Sequence, residues 1–257
     1  MENYKIIHNI NDNYHINFNK TCENISINNF RENQLMMNIV QNCSFLSGTE
    51  QYNFICNNYS DILNKLDYNL LKRFDSIGGN KCQLINGLTP KVYSYIREAI
   101  IFYKFYLEPR NITEIDNLLI IGGGYGLEFC VLYIVCISMG IKINHISGID
   151  MNNIAKLQNT YFELVEMDNI FKSYSFEEYK LNPDYVYSNC CLAELTCKIN
   201  YEYYINYCLP SKGFYIVWGQ WAAEIPEYYK PFIVKGKHHE LINDGLINKN
   251  TNSIIVK

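Results

Sequence analysis

The sequence predicts an α/β protein with a doubly wound, mostly parallel sheet, helices on both faces and a helical N-terminal extension. Three observations carry this. A short apolar run at 118–121 (LLII) passes directly into four glycines within five positions, Gly122, Gly123, Gly124 and Gly126. A run that short and apolar reads as a buried strand, and glycines after it let the chain turn sharply and leave room for a ligand. Helical periodicity then begins at once, with Leu127, Cys130, Val131, Ile134 and Ile137 on one face. Further strand-like runs at 144–149, 183–189 and 214–218 alternate with amphipathic stretches, which is the pattern of strands joined by crossover helices.

Taken in order, residues 1–50 are rich in Asn, with an apolar cluster at 34–40. This region reads as a loosely packed helical arm, suited to covering a cleft, forming a homodimer contact or extending over the surface. At 52–71 the positions Ile55, Tyr59, Ile62, Leu63, Leu66 and Leu70 predict an amphipathic helix, and 76–80 a turn. Thr89-Pro90 predicts a helix start, Thr as N-cap and Pro at the first helical position, with the helix running to 107. Arg97 inside it is either a salt-bridged surface group or a substrate contact.

Beyond the glycine turn and its helix, a second strand at 144–149 ends at Asp150, 24 residues after Gly126. An acid at that strand tip can accept from both ribose hydroxyls of a nucleoside, or cap the next helix. Ile154, Leu157, Tyr161 and Leu164 make that helix amphipathic. A third strand is expected near 169–174, with Glu177 and Glu178 on an exposed turn. The fourth strand, 183–189, delivers residues 190–195 to the cleft. A Tyr-rich helix at 199–208 leads to the fifth strand, 214–218, with Trp221 at its tip. Strands at 231–234, reaching toward His239, and at 253–256 would form an edge hairpin.

Composition narrows the functional classes. The 257 residues carry a net charge of -4 and no dense Lys/Arg cluster, which argues against a nucleic-acid partner. Ten cysteines include no C-x-x-C pair and no zinc spacing, so they read as buried thiols, Cys130, Cys136, Cys190 and Cys191 among them. No D-x-D or His/carboxylate cluster suggests a metal. The N-terminus lacks an apolar signal core, and the most apolar stretch, 129–143, is too short to span a bilayer. A cytoplasmic protein without membrane contact is the expectation. Its division is a helical region at 1–110 and a cofactor-binding domain at 111–257.

The glycine spacing is G-x-G-x-G. Leu127 stands where the dinucleotide fingerprint needs a third glycine, which disfavours a nicotinamide oxidoreductase, and the P-loop lysine is absent. The series IIGGGYG, GIDMNNIAKLQNTYF, PDYVYSNCCLAEL and LPSKGFYIVWG resembles a sugar O-methyltransferase family over roughly 75–220. The resemblance implies a Rossmann-like class I methyltransferase fold with a seven-stranded sheet. It also implies S-adenosylmethionine as methyl donor and a sugar hydroxyl, on a nucleotide sugar or a glycan, as acceptor. Carried over by position, Gly122, Gly123, Gly124, Tyr125 and Gly126 would wrap the methionine part. Asp150, beside Met151, would bind the ribose, Ser188 and Asn189 would line the cleft, and Glu194 would sit near the reacting hydroxyl.

This sequence departs from the family at Ile120, where an acid normally holds the cofactor's ammonium. Glu128 could replace it; otherwise binding is weaker or the chain is a non-catalytic binding subunit. Methyl transfer to a hydroxyl calls for a general base. Glu194 is the first candidate, its alternative being a helix-start acid or a salt bridge, with His238 and His239 as rivals or else surface residues. Tyr125 and Trp221 are candidates to face the sulfonium or the sugar ring, the alternative being that they pack as aromatics at strand tips usually do. Arg97, Trp221 and His239 are the candidate acceptor contacts. A methyltransferase acting on another small molecule or on a protein is the nearest rival reading.

Overall fold

Strand β1 (Glu114–Ile121) is central in a single sheet. Its neighbours are β2 (Lys142–Asp150), β3 (Phe171–Ser175), β4 (Tyr185–Asn189), β5 (Gly213–Trp218) and β6 (Ser253–Val256), in the order β3-β2-β1-β4-β5-β6. The computed structural model describes residues 16–40, 42–79, 82–219, 224–234 and 253–257. All pairings are parallel except β5 with β6, where Ile216 faces Ile255. The chain winds outward from β1 to β3, then crosses back to β4 on the other side of β1. That reversal defines a doubly wound, Rossmann-like fold.

Period-two alternation divides the strand residues between two faces. Leu118, Ile120, Ile146, Tyr187, Tyr215 and Val217 point into one core, and Leu119, Ile121, Ile149, Val186, Phe214 and Ile216 into the other. Preceding the sheet are α1 (Gln34–Ile39), α2 (Phe45–Leu63), α3 (Tyr68–Asp75) and α4 (Pro90–Phe102). The first core also takes α4, α5 (Leu127–Ser138) and α6 (Asn152–Leu164). After β4 come the short α7 (Cys191–Glu194) and α8 (Cys197–Tyr203), and α8 packs into the second core. Phe102 at the end of α4 lies 5.3 Å from the Tyr187 ring and 5.2 Å from the Tyr215 ring. Residues on both sides of position 110 therefore share one core with the sheet.

Several elements differ from expectation. The helix foreseen at 52–71 is two, because Asp67 accepts from the Asn69 and Leu70 amides, both at 3.0 Å, and so starts α3. Thr89 makes no side-chain cap for α4; its hydroxyl donates instead to Asp75 Oδ1 at 2.8 Å. Past Phe102 the helix widens into a π turn, Tyr103–Leu107, and ends at left-handed Asn111. Ile137 is exposed on the outer side of α5, the rest of which is buried almost all round. The strand foreseen at 231–234 is a 3₁₀ turn, Lys230–Phe232, followed by one antiparallel bridge from Ile233 to Ile255. The sheet thus has six strands among the described residues rather than seven. The intervening part of the foreseen hairpin lies outside the described residues. No helix among the described residues is long and apolar enough to cross a membrane.

Candidate functional site

The strand register builds the floor of the site. Ile121 pairs with Ile149, and Ile120 with Tyr187. One and two residues further on, Gly122, Asp150 and Asn189 emerge level with each other at the switch point. The Gly122 amide bonds the Ile149 carbonyl at 3.0 Å and ties the glycine loop to β2. Gly122, Gly123, Gly124 and Gly126 all have positive φ, from +60° to +113°, a region that L side chains seldom adopt. The space their missing side chains leave is taken by protein rather than left open for a ligand. A Cβ on Gly122 would meet Cys191 at 2.6 Å, and one on Gly126 would meet Phe162 at 2.7 Å; Gly124 is covered by Val40. The backbone of Gly122–Gly124 still faces the cleft, and the Gly123 and Gly124 amides make no hydrogen bond among the described residues.

Asp150 sits at the tip of β2 inside the same cleft. Its carboxylate accepts from the Met151 amide at 2.9 Å and from Gln158 Nε2 at 3.1 Å. Burial pushes its pKa up to about 7, against those two hydrogen bonds. Gln158 Nε2 also donates to the Gly124 carbonyl at 2.7 Å. Gln158 thereby locks the glycine loop to the acid. It belongs to the Leu-Gln…Tyr stretch of the quoted motif, the signal by which it was findable.

At the tip of β4, Asn189 Nδ2 donates to Glu128 Oε1 at 2.8 Å, and the Tyr187 hydroxyl donates to the same oxygen at 3.2 Å. Burial raises Glu128 to about 7, and nearby Lys91 draws it down. Ile120, where the family has its acid, is fully buried in the first core. Glu128 brings a carboxylate to the cleft from the first turn of α5 instead. Cys190 is left-handed (φ 67°) and turns the chain, so that Cys190, Cys191 and half-buried Glu194 line the cleft wall. These two thiols are partly buried, packed against the two cores, and also face the cleft.

The roof comes from the N-terminal region. Phe18, Asn38, Val40 and Asn42 close a cleft of about 250 Å³, with Lys91 and Tyr95 from α4 beside them. Lys91 Nζ donates to Asn42 Oδ1 at 2.9 Å and lies 4.9 Å from the Tyr95 ring centre. A buried ion pair anchors this roof. Arg31, 2% exposed, reaches Asp75 Oδ1 at 2.9 Å and Thr89 Oγ1 at 3.2 Å. Asp75 Oδ2 accepts from the Thr89 amide at 2.6 Å. Nothing in the spacing of the N-terminal residues marked Lys91, Asn38 or Asn42 in advance.

The other candidates fall elsewhere. Tyr125 is fully buried, packed edge-on against Phe30 at 4.7 Å and Tyr161 at 5.4 Å, so it holds the roof rather than facing a ligand. Ser188 is buried behind the wall, where its Oγ accepts from the Leu192 amide at 3.3 Å. Arg97 lies outside the cleft lining, hydrogen-bonded to Gln51 Oε1 at 2.7 Å and paired with Glu98. Trp221, His238 and His239 lie outside the described residues. Among the described residues no group of three or more His, Cys, Asp or Glu side chains could hold a metal ion.

No protein-family model matches the chain, and no curated protein does. The resemblance to sugar O-methyltransferases therefore stands on the quoted motifs alone. Solved structures do match. Magnesium protoporphyrin IX methyltransferase from Synechocystis PCC 6803, with bound SAM, is 11% identical, with a TM-score of 0.42, over 80% of this chain and 95% of that one. An O-methyltransferase from Bacillus cereus in complex with SAH is 11% identical, with a TM-score of 0.38, over 63% and 89%. Mitomycin 7-O-methyltransferase is 11% identical, with a TM-score of 0.38, over 54% and 38%. The chain spans less than half the length of that enzyme and 48% of a match from Galdieria sulphuraria. Likeness this loose does not bear on function; the fold rests on the strand order itself.

Proposed function

We propose that this chain is an S-adenosylmethionine-dependent O-methyltransferase acting on a hydroxyl of a sugar or nucleotide sugar. The observation that carries the reading is the juxtaposition of the left-handed glycine loop, Asp150 and Asn189 at the switch point of a doubly wound sheet. The residues fit such a cofactor. Asp150 offers a carboxylate for ribose hydroxyls, Gly123 and Gly124 line the cleft with amides unpaired among the described residues, and Glu128 would supply the acid that Ile120 lacks. S-adenosylmethionine, when bound, supplies an electrophilic methyl group on a sulfonium.

The sugar acceptor is supported by the sequence resemblance and by the polar character of the roof and wall, where Asn38, Asn42 and Glu194 line the cleft. Glu194 would take the proton of the acceptor hydroxyl as its oxygen bonds the methyl carbon and the carbon–sulfur electron pair leaves with sulfur. The cleft walls would hold the acceptor oxygen in line with that bond.

Calorimetric titration of S-adenosylmethionine and S-adenosylhomocysteine tests the cofactor site. We expect micromolar binding in the wild type and a ~10–100-fold loss in Asp150→Ala, the scale of hydrogen bonds to a charged group. Absence of binding for both ligands overturns the reading. Product analysis with sugar nucleotides against phenols and amines then separates the acceptors.

A further inference from the structure

We infer that Lys91 and Glu128 form a clamp for a zwitterionic α-amino acid, Lys91 taking the carboxylate and Glu128 the ammonium of an amino acid carried on a nucleoside. The inference rests on the methyltransferase reading and names how that site selects its ligand. Both side chains line the cleft beside Gly122–Gly124, and they come from the first turns of two different helices, α4 and α5. They are close enough for each to feel the other's charge.

Each is held with one side free. The two hydrogen bonds that Glu128 accepts, from Asn189 and Tyr187, both end on Oε1; Oε2 accepts none among the described residues. Those two donors fix the carboxylate so that its second oxygen remains for a cation in the cleft. Lys91 is fixed by Asn42 Oδ1 on one side and the Tyr95 ring on another, which leaves donor capacity of its ammonium for an anion. It is the second residue of α4, where the positive end of the helix dipole adds to the attraction for a carboxylate. Asp150, the other carboxylate on the floor, is held at the β2 tip by Met151 and Gln158, one hydrogen bond on each oxygen. The cleft therefore presents one acid for a nucleoside and an opposite-charge pair for an amino acid.

The test compares three ligands by calorimetry: S-adenosylmethionine, decarboxylated S-adenosylmethionine, and 5′-methylthioadenosine, which has no amino-acid end. Wild type should favour S-adenosylmethionine over its decarboxylated form by ~10-fold or more, the worth of one charge-assisted contact. Lys91→Met should shrink that preference to about twofold and leave methylthioadenosine binding unchanged. Glu128→Gln should weaken both ammonium-bearing ligands alike and spare methylthioadenosine. Lys91→Gln serves if Lys91→Met does not fold, with melting curves as the control. A Lys91 variant that keeps the wild-type preference overturns the clamp. So does a wild type that binds methylthioadenosine as tightly as S-adenosylmethionine, although the nucleoside site then stands. A wild type that binds none of the three overturns the methyltransferase reading and the clamp with it.

Discussion

The floor and the roof of the cleft are built in opposite ways. The floor is backbone: strand ends in parallel register, a loop of left-handed glycines and one glutamine that joins the loop to Asp150. The roof is side chains: Phe18, Asn38, Val40, Asn42, Lys91 and Tyr95, from segments up to tens of residues apart, anchored by the Arg31–Asp75 pair and by the Asn19–Asn153 hydrogen bonds. On the proposed reading the floor would set the class of ligand, because its glycine loop and strand-tip carboxylate are the features common to doubly wound nucleoside sites. The roof would then set which member of that class is retained, through the side chains of Asn38, Asn42 and Lys91.

Breaking the roof should have the largest effect. Arg31→Met leaves Asp75 buried with only Thr89 as partner, and we expect a loss of ~3–5 kcal/mol in urea unfolding. Because the N-terminal helices and the sheet share a core, the loss should appear as one transition. Two separate transitions would show that roof and floor are independent. The floor comes next. In Gly126→Ala the new methyl faces both a φ of 113° and the Tyr161 and Phe162 rings, and ~2–4 kcal/mol should be lost by the same measurement. An unchanged midpoint would mean that the loop relaxes freely.

The smallest effect concerns the charge stored in the floor. An unfolded aspartate titrates near ~4, while burial holds Asp150 at about 7 in the folded chain. Between those values the folded protein binds more protons than the unfolded one, so stability falls as pH rises through that window. Asp150→Asn should therefore melt above wild type at pH 8 and level with it near pH 4. A gap of equal size at both pH values would assign the gain to packing instead.

Much of the floor was legible in the residues. The LLII run, the glycines and Asp150 form a local pattern, in which strand, turn and acid follow each other closely enough for spacing to predict them. Asn189 was reached by the same route, from the strand that carries it. Ser188 was not separable from it in sequence: one residue along a strand reverses the face, and Ser188 turns inward to the Leu192 amide. Tyr125 was a candidate ligand contact by its place in the family-like motif, with packing as the alternative, and its ring packs on Phe30 and Tyr161. Thr89 looked like a cap, and Asp75 across the fold took its hydroxyl.

By itself, then, the sequence determined the doubly wound class, the position of the glycine loop and the acid at the tip of β2, because these depend on periodicity and backbone conformation within short spans. Only the tertiary structure decided that Glu128 and Lys91 enter the cleft and that Arg97 does not. Those outcomes depend on which helix face meets the sheet and on which buried charge finds a partner, and the contacts that settle them join residues far apart in the chain.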